Sequence, residues 1–263
     1  MPGGGRRAIK GKRRRHIDWL SPAAGIYCAV VLVLSYGVRG TAGFGSVVAM
    51  PLLALVVPMK LLVPAWTLMG FSASLTVLGR DRHAIAWRET LKLVPGCLVG
   101  IGLGLYVFTT LDTNSLARGF GAVVVLYGLY ALWGSLRPRQ ASALPPRLLA
   151  PLCGTLGGVT GATFGTMASL FFAIYLDVLR LDKVGFRATM SALLLTLSGV
   201  RGLGYYAVGE FTLEAVLLFA AGAPLMLLGM FLGDRIQTRL REDHFRRIVC
   251  LVLIASGLPL IFR

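Results

Sequence analysis

The sequence has too few charged residues to cover a water-soluble core. Only 14% of its 263 residues are Asp, Glu, Lys or Arg, and 56% are hydrophobic, whereas a soluble domain carries about 25% charged residues. This shortage excludes a soluble enzyme, a disordered chain and a secreted disulfide scaffold. An outer-membrane barrel is disfavoured because its strands alternate apolar residues with polar lumen residues. A helical membrane protein remains.

Acidic residues and paired cysteines are scarce as well. The chain has 11 Asp and Glu against 27 Lys and Arg, and residues 1–15 contain seven bases and no acid. We predict that residues 1–21 form a basic cytoplasmic tail attracted to anionic lipid headgroups. Binding of nucleic acid or a partner through this tail is the alternative. The four cysteines form no CxxC pair, so neither a metal site nor a disulfide framework is indicated.

Ten apolar segments follow the tail. A helix needs about 20 mostly apolar residues to cross a membrane, so we predict an all-α polytopic membrane protein with eight to ten helices. A basic linker at residues 137–147 divides the segments into two membrane halves of five segments each, at residues 22–136 and 148–263. The first two segments of each half are short and broken by glycine.

The two halves look like inverted repeats. Gly43-Phe44-Gly45 aligns with Thr163-Phe164-Gly165, provided that the second copy has about nine extra residues near 198–206. The loop between the third and fourth segments is basic in the first half and acidic in the second, and the next loop reverses this bias. Because basic loops stay cytoplasmic, the halves should lie in opposite orientations. The basic loops cannot all be cytoplasmic with ten full crossings, so we expect one short segment either to dip into the membrane and return or to fail to cross it.

The glycine clusters at the two broken segments are the first candidate site. Unwound backbone at membrane depth is tolerated only around a cavity or inside protein, and paired breaks point to a transporter site. A helix that starts after such a break directs free N–H groups at the gap, which favours an anion. Hydroxyl donors are available from Ser46, Thr163 and Thr166. The alternative is a plain tight turn between helices.

Arginines within or beside apolar runs are the second candidate. Arg201 lies inside an apolar segment and is flanked by glycines, while Arg39 adjoins the first glycine cluster and Arg187 opens a long segment. A charge at mid-bilayer costs at least about 2.5–3.5 kcal/mol, so Arg201 should face a cavity, a partner or a substrate anion. Residues that snorkel to the interface are the alternative for Arg39 and Arg187, and a loop is the alternative for Arg201.

The stretch from residue 40 to 55, GTAGFGSVVAMPLLAL, resembles the opening motif of the sulfite exporter TauE/SafE family. The resemblance implies an inner-membrane, multi-pass permease for small anions such as sulfite, sulfoacetate or related sulfur-containing organic acids. By motif match it places the substrate site on the residues Gly43, Phe44, Gly45, Ser46, Thr163, Phe164, Gly165 and Thr166. The second copy departs from the motif, with Thr163 in place of a glycine and Phe171 where Pro51 stands in the first copy.

We therefore predict a permease for a small anion that works by alternating access of the two halves. The expected partners are the anion and membrane lipids, with no nucleic acid, no cofactor, no metal and no catalytic residue. Coupling to a proton or cation and formation of a homodimer stay open, and Asp177 is the nearest candidate for a proton carrier. Two alternatives stand beside this prediction: an anion channel or a carrier for a non-sulfur substrate, and a non-transporting membrane scaffold.

Overall fold

A computed structural model describes residues 22–42, 46–135, 146–235 and 242–262, and these residues form ten α-helices and no strand. The prediction of an all-α polytopic fold is confirmed. The basic tail, most of the linker and residues 43–45 lie outside the described residues. The helices are α1 (Pro22–Ala42), α2 (Ser46–Ala54), α3 (Met59–Asp81), α4 (Trp87–Thr110), α5 (Thr113–Ser135), α6 (Pro146–Phe164), α7 (Ala168–Val178), α8 (Lys183–Ala207), α9 (Leu213–Arg235) and α10 (Glu242–Ile261).

Three of these helices are long and apolar enough to cross a membrane by length and composition, namely α4, α5 and α9. The described parts of α1, α6, α7 and α10 contain shorter apolar stretches. The outward faces of the bundle are apolar as well: Leu103, Leu126 and Leu203 are each more than half exposed. A surface of this kind is suited to lipid rather than to water.

Helices five places apart in the chain make matching contacts. The pair α4–α6 has its counterpart in α9–α1, while α3 packs on α8 and α5 packs on α10. The short second helix of each half, α2 or α7, packs on the long helix before it. This is the pairing that two copies related by a twofold axis would have, and the origin of the halves by duplication stays a prediction.

The two ends of the bundle are chemically different. At one end, here called end A, the Nζ atom of Lys60 at the start of α3 lies 3.4 Å from Oε1 of Glu210, which follows α8. At the other, end B, the hydroxyl of Tyr175 near the end of α7 donates to Oε2 of Glu89 at the start of α4, at 2.5 Å. Thus α3 runs from end A to end B, while α4 and α8 run from end B to end A.

The two short helices turn back instead of continuing across the bundle. Phe172 of α7 lies against Gly157 of α6, so α6 leaves end B, stops at Phe164, and α7 returns to end B. In the first half, the hydroxyl of Tyr27 in α1 donates to the carbonyl oxygen of Leu52 in α2 at 3.1 Å, so α2 returns towards the start of α1. Each half therefore contains a hairpin of one long and one short helix.

Helix α8 is continuous through residues 198–206, where the alignment of the halves predicted about nine extra residues. It is only two residues longer than its counterpart α3, with 25 residues against 23. Arg201 therefore lies in a helix, and the alternative that it lies in a loop is wrong. The start of α8 is set by Asp182, whose side chain accepts a hydrogen bond from the backbone N–H of Gly185 at 3.2 Å, as N-cap residues do.

Candidate functional site

A small cavity lies where the turn between α6 and α7 meets α3 and α8. Its volume is about 30 Å³, which is room for roughly two water molecules. The cavity brings together backbone from the turn, hydroxyl groups, one aromatic ring and one arginine. The residues that line it are Trp66, Gly70, Gly165, Thr166, Met167, Ala168, Ser169, Leu194, Leu197, Ser198 and Arg201.

The turn itself has an unusual backbone. Gly165 has φ 77° and Met167 has φ 70°, a left-handed conformation that is ordinary for glycine and uncommon for other residues. The N–H of Gly165 closes α6 by donating to the carbonyl oxygen of Gly161 at 3.0 Å. The next helix then starts at Ala168, and the first N–H groups of a helix have no partner within it. The turn thus places the positive end of α7 beside the cavity.

Arg201 and Tyr205 tie α8 to the last turn of α6. The guanidinium of Arg201 donates to the carbonyl oxygen of Gly161, and the hydroxyl of Tyr205 donates to that of Ala162. The final carbonyl groups of a helix lack intrahelical donors and form the negative end of its dipole. These two side chains therefore cap α6, and its negative end partly stabilises the charge of Arg201.

The guanidinium is incompletely satisfied. Arg201 is only 2% exposed, and its Nε has no hydrogen-bond partner among the described residues. No acidic side chain is among the residues that line the cavity. Taking a cation out of water is costly unless it gains partners, so the electrostatic environment of the cavity would favour a negatively charged group. Carboxylate, sulfonate and similar oxyanions can accept from a guanidinium through two oxygens.

The rest of the lining combines hydroxyls with apolar surface. The side chains of Thr166, Ser169 and Ser198 are buried there and can serve as donors to an anion. Trp66 is 3% exposed, and its ring centroid lies 5.6 Å from that of Tyr36 in α1. The aromatic wall excludes water from one side of the cavity, which strengthens the electrostatic interactions within it.

Three of the predicted site residues, Gly165, Thr166 and Arg201, meet at this cavity. Two of their neighbours point elsewhere: the hydroxyl of Thr163 donates to the carbonyl oxygen of Gly104 at 3.3 Å, and Phe164 stacks on Phe120 with ring centroids 5.3 Å apart. These two residues pack α6 against α4 and α5.

The remaining predicted residues are not at the cavity or cannot be assigned to it. Arg187 is exposed and lies fourteen residues from Arg201 on the same helix, about 21 Å along its axis. Asp177 is exposed near the end of α7 and does not line the cavity. Gly43, Phe44 and Gly45 lie outside the described residues, as do the side chains of Arg39 and Ser46.

Three residues at or beside the cavity are not among the residues that the sequence predicted for the site. Trp66 lines the cavity from α3, while Ser198 and Tyr205 belong to α8. Both lie three or four residues from Arg201, so on a continuous α8 they share its face. The signal was the helical spacing, which the predicted insertion near residues 198–206 obscured.

Comparison with known proteins gives one family and one relative. The sequence model of the family described as sulfite exporter TauE/SafE matches residues 27–260. The chain is 26% identical over 201 residues to the probable inner membrane transporter protein TsaS of Comamonas testosteroni, an alignment that covers 73% of this chain and 80% of the relative. No solved structure matches the chain.

Proposed function

Because the chain belongs to the sulfite exporter TauE/SafE family and is a multi-pass membrane transporter, we propose that it is a permease for a small oxyanion. Sulfite or an organosulfonate is the proposed substrate, and the cavity beside Arg201 is the proposed binding site. The chemistry of the cavity supports a substrate of this kind, because the cavity combines a buried cation, a helix N-terminus and buried hydroxyl groups.

The observation that carries this proposal is the buried, incompletely paired guanidinium of Arg201. A cation held within an apolar bundle costs several kcal/mol unless it is compensated, and a bound anion would complete its hydrogen bonds. The N-terminus of α7 would bind the same anion through backbone N–H groups, and Ser198 would add a hydroxyl donor. The N-terminus of α7 belongs to the hairpin of α6 and α7 that turns back at the cavity, which is similar to the broken helices of transporters.

The small size of the cavity favours a carrier over a channel. A volume of about 30 Å³ holds roughly two water molecules, whereas conduction needs a continuous path. An anion larger than this requires α7 and α8 to move away from α3 while it enters. Alternating access, in which the halves move relative to each other, fits this requirement.

We propose that end B faces the cytoplasm. Its described loops and helix ends carry Arg82, Arg88, Arg180 and Arg235, whereas the described part of end A has the bases Lys60 and Arg118. Basic residues are retained in the cytoplasm. Helix α1 starts at end A, which conflicts with the cytoplasmic tail predicted from residues 1–21. Labelling a cysteine placed at residue 5 with a membrane-impermeant thiol reagent on intact cells tests the tail directly.

The test of the proposed function is transport by purified protein in liposomes. We expect saturable, gradient-driven uptake of sulfite, and we expect Arg201→Gln to reduce it about 100-fold, which corresponds to the loss of about 3 kcal/mol. Arg201→Lys keeps the charge but lacks the planar fork, so it should retain intermediate activity. Arg118→Gln removes an exposed arginine from α5 and is the matched control. Equal uptake by the wild type and Arg201→Gln would contradict the assignment of the site.

A second measurement identifies the substrate class. Purified protein would be melted in the presence of sulfite, methanesulfonate, acetate or phosphate. A ligand at 100 times its Kd stabilises the folded state by about 2.7 kcal/mol, so a binding anion should raise the melting temperature by several degrees. A shift confined to acetate would favour the alternative of a carrier for a non-sulfur substrate.

A further inference from the structure

Lys60 is a partly buried cation that does not line the cavity. Its ammonium group lies at the rim of end A, where it contacts Oε1 of Glu210 at 3.4 Å and the carbonyl oxygen of Thr109 at 3.4 Å. The same group lies 5.0 Å from the centroid of the Phe108 ring, within range of a cation–π interaction. The side chain is 27% exposed, so it is reachable from water and still directed into the bundle.

An aromatic pair connects Lys60 to the cavity. The ring of Phe108 that faces Lys60 also packs edge-on against Tyr205, with centroids 5.0 Å apart. Tyr205 follows Arg201 by four residues on α8, which is about 6 Å along the helix. From end A inwards the order is therefore Lys60, the Phe108–Tyr205 pair, and Arg201. The ammonium group of Lys60 and the guanidinium of Arg201 thus lie on opposite sides of the Phe108–Tyr205 pair.

Lys60 is a cation among the acidic residues of end A, so it can attract an anion that approaches from this end. End A carries the acidic residues Asp112, Glu210 and Glu214, which repel anions, and Arg118 is exposed on the outer side of α5. The contact between Lys60 and Glu210 is partly exposed on both sides, and such ion pairs are weak because water screens them. An oxyanion can therefore compete with the Glu210 carboxylate for the ammonium group.

We propose that Lys60 is an access site for the transported anion at end A, where a small oxyanion replaces the Glu210 carboxylate before it passes the Phe108–Tyr205 pair to Arg201. The inference rests on the proposed function and adds a second anion contact to it. Glu210 then acts as the resident counter-ion: it holds Lys60 in place when no anion is present and is released when one arrives.

The experiment measures charge selection at the cavity without any transport substrate. Ser198→Cys places a thiol in the cavity, and two membrane-impermeant methanethiosulfonate reagents, one with a sulfonate and one with a trimethylammonium group, react with it from one side of sealed membrane vesicles. Val208→Cys, which replaces a half-exposed residue at end A, identifies the vesicles whose end A faces outwards. Protein without either substitution corrects for labelling of the native cysteines.

The quantity of interest is the ratio of the sulfonate rate to the trimethylammonium rate at residue 198. We expect Lys60→Gln to lower this ratio about fivefold and Glu210→Gln to raise it by a similar factor, because each removes one charge from the access route. Lys60→Arg should keep the ratio near that of the parent. Glu214→Gln, which removes an exposed acid four residues away, is the matched control and should change the ratio much less, because water and salt screen an exposed charge.

The outcomes separate this inference from the proposed function. If Ser198→Cys reacts but neither Lys60→Gln nor Glu210→Gln changes the ratio, the access site is overturned and the cavity stands. If Glu214→Gln changes the ratio as much as Glu210→Gln does, the effect belongs to the general charge of end A and the assignment to Lys60 is wrong. If the ratios shift as expected while liposomes take up no anion, the access site stands and the proposed transport fails.

Discussion

Arg201 of α8 donates a hydrogen bond to the carbonyl oxygen of Gly161, the same oxygen that closes α6 by accepting from the N–H of Gly165. A single backbone oxygen thus joins the buried charge to the turn that opens the cavity. Any movement of α8 relative to α6 must change this contact, so the position of the charge and the shape of the turn are coupled.

Tyr205 provides a test of this coupling. Tyr205→Phe removes the hydroxyl that caps the carbonyl oxygen of Ala162 and keeps the ring packed on Phe108. We expect a loss of about 1–3 kcal/mol in unfolding free energy, because a buried carbonyl loses its partner, together with reduced anion uptake. Thermal unfolding of the purified protein measures the first effect. The exposed Tyr206→Phe is the control, and equal melting temperatures for both variants would contradict the capping role.

Gly165 tests the turn. Gly165→Ala forces a side chain into a left-handed backbone with φ 77°, and its new methyl group would lie 3.1 Å from Cε of Met50. We expect a loss of about 1–2 kcal/mol from the backbone alone, measured by thermal unfolding. Gly25→Ala, in a helix and with nothing within 4 Å of the added carbon, should be neutral or slightly stabilising. A neutral Gly165→Ala would mean that the turn does not need a glycine.

The contact between α4 and α6 can be tested with two glycines on one helix. A methyl group at Gly104 would lie 2.7 Å from the carbonyl oxygen of Val159, whereas one at Gly102 meets nothing within 4 Å. We expect Gly104→Ala to cost about 1–3 kcal/mol through overpacking and Gly102→Ala to cost nothing. Melting temperatures in the same detergent provide the measurement. Similar values for the two variants would show that α4 and α6 can separate without loss.

Asp112 predicts a dependence of stability on pH. It caps α5, where the side chain of Ser115 and the N–H groups of Asn114 and Ser115 donate to its carboxylate and lower its pKa. A lowered pKa in the folded state means that the stabilisation is present above the unfolded pKa of about 3.8 and is lost as the pH falls through the lower, folded value. Asn also caps helices but does not titrate.

We therefore expect the melting temperature of the wild type to fall more steeply below pH 4 than that of Asp112→Asn. The effect is modest because the carboxylate is fully exposed. Melting curves between pH 2.5 and 6 provide the measurement. Parallel curves for the two proteins would remove Asp112 from the account of acid stability.

The helices themselves were predictable because apolar runs separated by charged or glycine-rich loops are visible along the chain. The ten segments agree with ten described helices, and the break at Gly165 falls where the aligned glycine clusters indicated one. The residues that line the cavity were harder to predict from the sequence. Trp66 and Ser198 come from α3 and α8, and the contact between these helices depends on packing that no local pattern records.

Composition and hydropathy alone determined that this chain folds in lipid as an all-α protein, since too few polar residues exist to cover a core in water. The spacing of glycines and the rare internal arginine also indicated where an anion could bind. Only the tertiary structure decided which residues meet: it joined Arg201 to the turn after α6, turned Thr163 and Phe164 towards other helices, and left Arg187 on the surface. The physical reason is that helix formation depends on neighbours in the chain, whereas a site depends on which helix faces pack together.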